Sequence, residues 1–174
     1  MDVERIRKEM GLMEKILSYV PGYRGYKEKE LRRETDILVR RKVSSILAEA
    51  KADLNFPLSP SEARQLANDS EARFLFETVR ALLDKAVQRI DKAVAGYAGL
   101  FDSVKVREDK LDAVLRHDLA LIEKAESVKQ LVAEIKGSEA DWKNKANRLK
   151  SVLMEFERLV DERTALLKGL SEVV

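Results

Sequence analysis

Apolar residues recur along most of the chain at alternating steps of three and four, the spacing that places side chains on one face of an α-helix. The pattern is longest near the C-terminus, where it keeps heptad register over four repeats. It predicts a helix over residues 139–171, capped by Ser138 and Asp141. This stripe consists of Trp142, Ala146, Leu149, Leu153, Phe156, Val160, Arg163, Leu167 and Leu170.

Two more long stripes precede this helix and predict helices over residues 70–103 and 104–136. Asp102 and Ser103 form a soft break between them, with Asp118 falling inside the second stripe. Without that break, the two would merge into one helix of about 100 Å. The first stripe is Leu83, Val87, Ile90, Val94, Tyr97 and Phe101, and the second is Val114, Leu121, Ala125, Val128, Val132 and Ile135.

The first 54 residues predict a helical hairpin, with helices over residues 2–20 and 27–54. Pro21 and Gly22 end the first helix. Farther along, Ser59, Pro60 and Glu62 have the composition of a capping box with proline at the first helical position. The apolar stripe of the first helix is Val3, Ile6, Met10, Met13, Leu17 and Val20.

These lengths favour an all-α fold, an elongated antiparallel bundle of four long helices plus an N-terminal helix. Three of the helices have about 33 residues, or about 50 Å each. Residues 55–174 are expected to form one packed unit after the hairpin of residues 1–54. The composition agrees, because 37% of residues are charged and 45% apolar, with only 7 glycines and 3 prolines.

Composition also excludes several classes of protein. The absence of cysteine removes disulfides, thiolate metal sites and cysteine nucleophiles. No run of ten apolar residues occurs, so neither a signal peptide nor a membrane span is expected, and we predict a cytoplasmic protein. The net charge of +2 gives no strong global attraction to nucleic acid or lipid. Abundant Lys, Glu and Arg beside scarce Asn and Gln favours a heat-adapted source.

Catalytic residues are not evident. His117 is the one histidine, which excludes a di-iron bundle site, and we interpret it as a solvent-facing helix position. The acidic pairs Asp109/Asp112 and Glu123/Glu126 lie about 21 Å apart on one predicted helix, so they could form a metal-dependent hydrolase site only across a dimer. Phosphate-binding glycine loops are also absent. We therefore predict no enzyme activity, catalytic residue, metal or cofactor.

Residues 21–36, PGYRGYKEKELRRETD, differ from the rest of the chain, and we call them the corner segment. Between residues 22 and 42 there are eight basic and four acidic residues. In one interpretation, the tyrosines stack on bases while the cations contact phosphates of single-stranded nucleic acid or anionic lipid headgroups. The candidate binding residues are Tyr23, Arg24, Tyr26, Lys27, Arg32 and Arg33.

In the other interpretation, the corner segment is structural, and we favour this one. Its glycines allow positive φ at a tight turn, and its tyrosines attach the turn to the bundle. Glu28 with Arg32, and Arg32 with Asp36, are then ordinary pairs on a solvated helix face.

The corner segment also resembles a motif found in a group of prokaryotic helical proteins, in which a Pro-Gly-aromatic-x-Gly-Tyr turn precedes a charged helix. The likeness covers about 20 of 174 residues. It implies an all-helical cytoplasmic protein and carries no activity with it.

Sustained heptad patterning with balanced charge predicts a non-enzymatic interaction or assembly protein that forms homo-oligomers or binds a protein partner. Binding of nucleic acid or an anionic membrane surface through residues 22–42 is the first alternative. A metal-dependent hydrolase with its acidic pairs meeting across a dimer is the second.

Overall fold

The computed structural model describes residues 3–55, 59–92, 108–136 and 141–171. Over these ranges the chain forms six α-helices and one 3-10 turn, with no strand. The predicted all-α bundle is therefore confirmed. The helices are α1 (Val3–Tyr19), α2 (Arg32–Leu54), α3 (Pro60–Asn68), α4 (Ser70–Lys92), α5 (Glu108–Lys136) and α6 (Trp142–Ser171), and the 3-10 turn is Lys29–Leu31.

Helices α2, α4, α6 and α5 are neighbours in that order around a four-helix bundle, and α4 lies diagonally opposite α5. Cross-helix contacts fix the directions. Consecutive long helices alternate in direction, yet the neighbouring pairs α2/α5 and α4/α6 run parallel. The contacts are Lys51–Asp84 and Ser44–Asp91 for α2/α4, Lys85–Glu157 and Arg89–Asp161 for α4/α6, and Lys124–Glu155 and Asp118–Arg163 for α5/α6. For α2/α5 they are Lys129–Glu49 and the shared partner Arg163, which pairs with both Asp36 and Asp118.

Because α4 and α5 run in opposite directions, they cannot be one continuous helix. Residues 93–107 lie outside the described residues, and with them the predicted break at Asp102 and Ser103 and the stripe positions Val94, Tyr97 and Phe101. Helix α2 packs on α4 and α5, so the second helix of the predicted hairpin is part of the same bundle as the later helices.

The bundle core is built from the predicted stripes. From α5, Val114, Leu121, Ala125, Val128, Val132 and Ile135 are all buried. From α6, Trp142, Ala146, Leu149, Leu153, Phe156, Val160 and Arg163 are buried. The predicted cap Ser138 and the side chains of Leu167 and Leu170 lie outside the described part of the chain. Full burial of a large aliphatic or aromatic side chain contributes about 1.5–3 kcal/mol, so these stripes are a main source of the fold's stability.

The helix starts at α3 and α4 also follow the sequence signals. The Ser59 hydroxyl accepts from the Glu62 backbone N–H at 3.3 Å, and the Ser59 backbone N–H donates to Glu62 Oε2 at 2.7 Å. Asp69 then caps α4, because its Oδ1 accepts from the Ala72 backbone N–H at 3.0 Å. These contacts satisfy backbone donors that a helix start leaves unpaired.

Helix α2 begins later than predicted, at Arg32 rather than residue 27. The residues before it fold across the end of the bundle, with positive φ at Gly22 (86°) and Gly25 (71°). Two side chains at the start of α2 hold the backbone of these residues in place. Arg32 Nε donates to the Tyr26 carbonyl at 2.6 Å, and Thr35 Oγ1 donates to the Gly25 carbonyl at 2.9 Å.

Helix α1 packs on α5 through its C-terminal half, where Ile16 is buried, and Val20 just beyond the helix is buried as well. Most of its predicted stripe is not covered, since Val3, Ile6, Met10 and Leu17 are exposed. Among the described residues, no helix combines the length and apolar character that a membrane span requires.

Candidate functional site

Six polar side chains meet inside one end of the bundle, and we call them the buried polar cluster. They come from the part of the corner segment that precedes α2 and from α2, α5 and α6, and each is at most 3% exposed. Burying so many polar groups is unfavourable unless they satisfy one another. The members are Tyr23, Tyr26, Asp36, Arg40, Asp118 and Arg163.

Arg163 is the centre of the cluster. Its Nη2 donates to Asp36 Oδ1 at 2.7 Å and to the Tyr26 hydroxyl at 3.0 Å, and its Nη1 forms an ion pair with Asp118 Oδ1. One guanidinium on α6 therefore bridges a carboxylate on α2 and a carboxylate on α5. The planar fork of arginine suits this role, since its donors point in fixed directions.

Asp118 accepts a hydrogen bond from each of the two tyrosines. Its Oδ2 accepts from the Tyr23 hydroxyl at 2.9 Å and from the Tyr26 hydroxyl at 2.8 Å. The two rings meet edge to face, with centroids 6.4 Å apart and an interplanar angle of 81°. The corner segment is thus fixed to α5 by two hydrogen bonds to one buried carboxylate.

The cluster is balanced in charge. Asp36 Oδ2 accepts from Arg40 Nε at 2.8 Å, so two carboxylates face two guanidiniums. Burial raises the pKa of Tyr26 to about 12, although Arg163 opposes the shift, and burial also raises the pKa of Tyr23. Burial alone would lower the pKa of Arg163, but Tyr26 and Asp36 raise it above its ordinary value. Near neutral pH, both tyrosines stay protonated donors and Arg163 stays charged.

His117 is buried, with 8% of its surface exposed, so the predicted solvent-facing position is wrong. Helix α5 contacts α1, α2 and α6, which leaves few of its positions facing water. The Nε2 atom lies 3.8 Å from Glu162 Oε2, too far for a direct hydrogen bond. Burial, followed by the nearby Arg163 charge, lowers the pKa of His117 to about 4, with Glu162 opposing the shift.

This shift predicts a loss of stability in mild acid. Well above pH 6.5 the imidazole is neutral in both the folded and the unfolded chain. As the pH falls from 6.5 towards 4, the unfolded chain takes up the proton and the folded chain does not, so the free energy of unfolding decreases. In urea denaturation, we expect the wild type to lose about 1–2 kcal/mol more than His117→Gln between pH 7.5 and pH 5. Equal losses in the two proteins would contradict the burial of a neutral imidazole.

The predicted binding residues divide into two sets. Tyr23, Tyr26 and Arg32 are buried, and burial lowers the pKa of Arg32. The tyrosine hydroxyls donate to Asp118, and both side chains are at most 2% exposed, which leaves no ring face open for base stacking in this structure. Arg24, Lys27 and Arg33 are exposed, and Lys27 Nζ lies 2.7 Å from Glu9 Oε2.

The described ion pairs of Asp36 are with Arg40 and Arg163, so the predicted solvated pair of Asp36 with Arg32 is wrong. Asp118 and Arg163 both occupy stripe positions that apolar residues otherwise fill. Opposite charges at such positions are the sequence signal for a buried pair, although spacing alone does not show that the two meet.

An apolar groove lies between α1, the corner segment and the start of α5, with a volume of about 320 Å³. Its α1 side is formed by Ile6, Met10 and Met13 with the acidic residues Glu9 and Glu14, and its α5 side by Leu111 and Leu115. Gly25 and Tyr26 also line it, so the buried polar cluster holds part of the groove in place. Gly25 has a φ of 71°, which other residues rarely adopt, and a Cβ there would also approach Met13 Sδ at 3.3 Å.

The groove adjoins the exposed apolar stripe of α1. Val3 is 71% exposed, Met10 59%, Leu17 41% and Ile6 40%. The described part of the chain contains two other exposed large hydrophobic residues, Phe74 and Met154, which lie apart on α4 and α6. Among the residues that the structure describes, the exposed apolar surface is therefore concentrated on α1.

No protein-family model, curated protein or solved structure matches the chain. Over the described ranges, no group of three or more His, Asp or Glu residues is placed to hold a metal ion.

Proposed function

We propose that this chain is a non-enzymatic helical interaction protein that self-associates through the exposed apolar face of α1. The observation that carries the proposal is the stripe of Val3, Ile6, Met10 and Leu17, all exposed on one short helix. Val3 and Leu17 are separated by about 21 Å along the helix, so the stripe extends over most of its length. Contiguous exposed apolar surface of this kind is typical of a contact site.

The bundle covers only one flank of this helix. Ile16 and Val20 lie on the side of the helix that faces α5 and are buried, whereas the side with Val3 and Met10 is exposed. The apolar face of α1 is thus wider than its attachment to the bundle requires. A partner helix laid along the open flank would remove these side chains from water, at about 25 cal/mol for each Å² of apolar surface buried.

The buried polar cluster contributes to this role by holding α1 in place on the bundle. It fixes the corner segment, and the corner segment joins α1 to α2 and forms part of the groove. A surface held in one geometry loses less conformational entropy when it binds. In this proposal the cluster is a structural clamp that presents α1 to its partner.

Binding of nucleic acid or an anionic lipid surface has less support. Arg24, Lys27 and Arg33 are exposed and could contact phosphates, but the stacking faces that the alternative requires are buried. Within the described residues of one chain, no three acidic or histidine side chains are grouped for a metal ion, so the metal-dependent hydrolase still requires a dimer that brings its acidic pairs together.

The test compares two methionines of equal exposure. Met10 on α1 is 59% exposed and Met154 on α6 is 58% exposed. In sedimentation velocity of the full chain, we expect Met10→Glu to shift the association equilibrium strongly to the monomer, because the contact would bury a charge. Met154→Glu, which adds the same charge elsewhere, should leave association unchanged.

Circular dichroism and thermal unfolding of both variants check that the bundle is intact. Equal association of the wild type and Met10→Glu would overturn the role of α1. Equal weakening by both substitutions would instead indicate a general effect of charge. Retention of single-stranded DNA or of phosphatidylserine vesicles at low salt, lost on Arg24→Glu with Arg33→Glu, would favour the alternative.

A further inference from the structure

Resting on the proposed function, the geometry points to the orientation of the contact: two copies of α1 pair antiparallel about a two-fold axis at Met10, with Arg7 of one copy beside Glu14 of the other. The observation behind this is the distribution of charge around the exposed stripe. Arg7 and Glu14 are both exposed.

An α-helix turns about 100° per residue, which fixes where each side chain lies relative to Met10. Val3 and Leu17 lie within about 20° of the line through Met10, so these three residues form the centre of the face. Arg7 and Glu14 lie about 40–60° to one side, and Ile6 and Met13 lie about 40–60° to the other. The face therefore has one charged flank and one apolar flank, and on the apolar flank Met13 already packs partly against the core.

The two flanks distinguish the possible pairings. When two identical helices pair antiparallel about a perpendicular two-fold axis, each flank meets the same flank of the other copy. The charged flank then meets the charged flank, and the apolar flank meets the apolar flank. In a symmetric parallel pair, the charged flank would lie against Ile6 and Met13, which would bury charges without partners.

The charges are also complementary at the right spacing. Arg7 precedes Met10 by three residues and Glu14 follows it by four. With Met10 on the axis, Arg7 lies within one residue of Glu14 of the other copy, or about 1.5 Å along the helix. The two-fold axis creates this pair twice, and it places Val3 of one copy opposite Leu17 of the other.

The side of α1 beyond the apolar flank is already occupied by the chain itself. Glu9 forms an ion pair with Lys27 at 2.7 Å, and Ile16 is buried against the bundle. The open approach is thus from the side that carries Arg7 and Glu14. A second copy of the chain offers an apolar centre and a charged flank that match this side in both respects.

Charge reversal tests the arrangement in the full-length chain. Arg7→Glu sets a second acidic side chain against Glu14, and Glu14→Arg sets a second basic side chain against Arg7, so each single variant should self-associate about tenfold more weakly. The double variant restores opposite charges and should recover wild-type association. An equimolar mixture of the two single variants should form heterodimers, since one chain then carries two acidic residues where the other carries two basic ones.

Each outcome decides a separate point. A wild type that stays monomeric defeats the proposed self-association itself. If the wild type associates and Met10→Glu prevents it, but the charge variants associate like the wild type, α1 is the contact and the antiparallel pairing is wrong. Weakened single variants that neither recover in the double variant nor pair in the mixture would also overturn it. Unchanged thermal unfolding of the variants confirms that these exposed substitutions leave the fold intact.

Discussion

Replacing Arg163 with methionine is expected to lower the free energy of unfolding by about 3–5 kcal/mol. Methionine is shorter than arginine but of comparable volume, and it offers no donor to Asp36, Asp118 or Tyr26. Asp36 would keep its bond to Arg40, whereas Asp118 would remain as a buried carboxylate bonded only by the two tyrosine hydroxyls. An uncompensated charge in the interior accounts for the size of the loss.

Urea denaturation followed by circular dichroism measures this effect, with Arg158→Met as the matched control. Arg158 lies on the same helix, is exposed, and pairs with Glu162. Loss of such a surface pair costs about 0–1 kcal/mol. Similar effects of the two substitutions would show that the buried polar cluster does not stabilise the bundle as described.

The second large expected effect is a partial recovery of the free energy of unfolding in a double variant. Adding Asp118→Asn to Arg163→Met is expected to restore about 1–3 kcal/mol of the lost stability. Asparagine keeps a carbonyl oxygen that can accept from Tyr23 and Tyr26, and it removes the charge that Arg163 had balanced. The cluster would then contain only the charge-balanced pair of Asp36 with Arg40.

Asp118→Asn alone should be destabilising by about 2 kcal/mol, because Arg163 then shares Asp36 with Arg40 and one positive charge is left in excess. The same denaturation measurements on the wild type, both single variants and the double variant give the coupling energy. A double variant less stable than Arg163→Met would contradict direct charge pairing between α5 and α6.

Much of the bundle could be predicted from apolar spacing alone. Leu121, Val128, Leu149 and Phe156 occupy stripe positions, and all four are fully buried, because a helix must turn such a stripe towards its neighbours. Spacing within each helix does not determine which helices become neighbours. The parallel pairs α2/α5 and α4/α6 emerge only from contacts between distant parts of the sequence.

The buried polar cluster could be predicted only in part. Asp118 and Arg163 occupy stripe positions, but Asp36 has the local sequence of a surface residue in a charged segment. Its burial depends on the corner segment folding over the bundle end, which brings together residues 127 positions apart. The prediction for His117 was wrong for a related reason, because its neighbours Arg116 and Asp118 are charged while α5 is surrounded by other helices.

For α1, the sequence shows the apolar stripe but does not show that it is exposed. Its stripe is visible in the sequence, and the same spacing would serve a buried helix equally well. The structure adds that α5 covers only the flank at Ile16 and Val20, leaving Val3 and Met10 in water. The proposed self-association depends on that difference.

Sedimentation equilibrium of the wild-type chain over a wide dilution series tests the proposed self-association most directly. We expect an average mass that rises with concentration from that of one chain, 19.8 kDa, towards twice that value. A mass that remains at 19.8 kDa across the whole series would contradict self-association through α1.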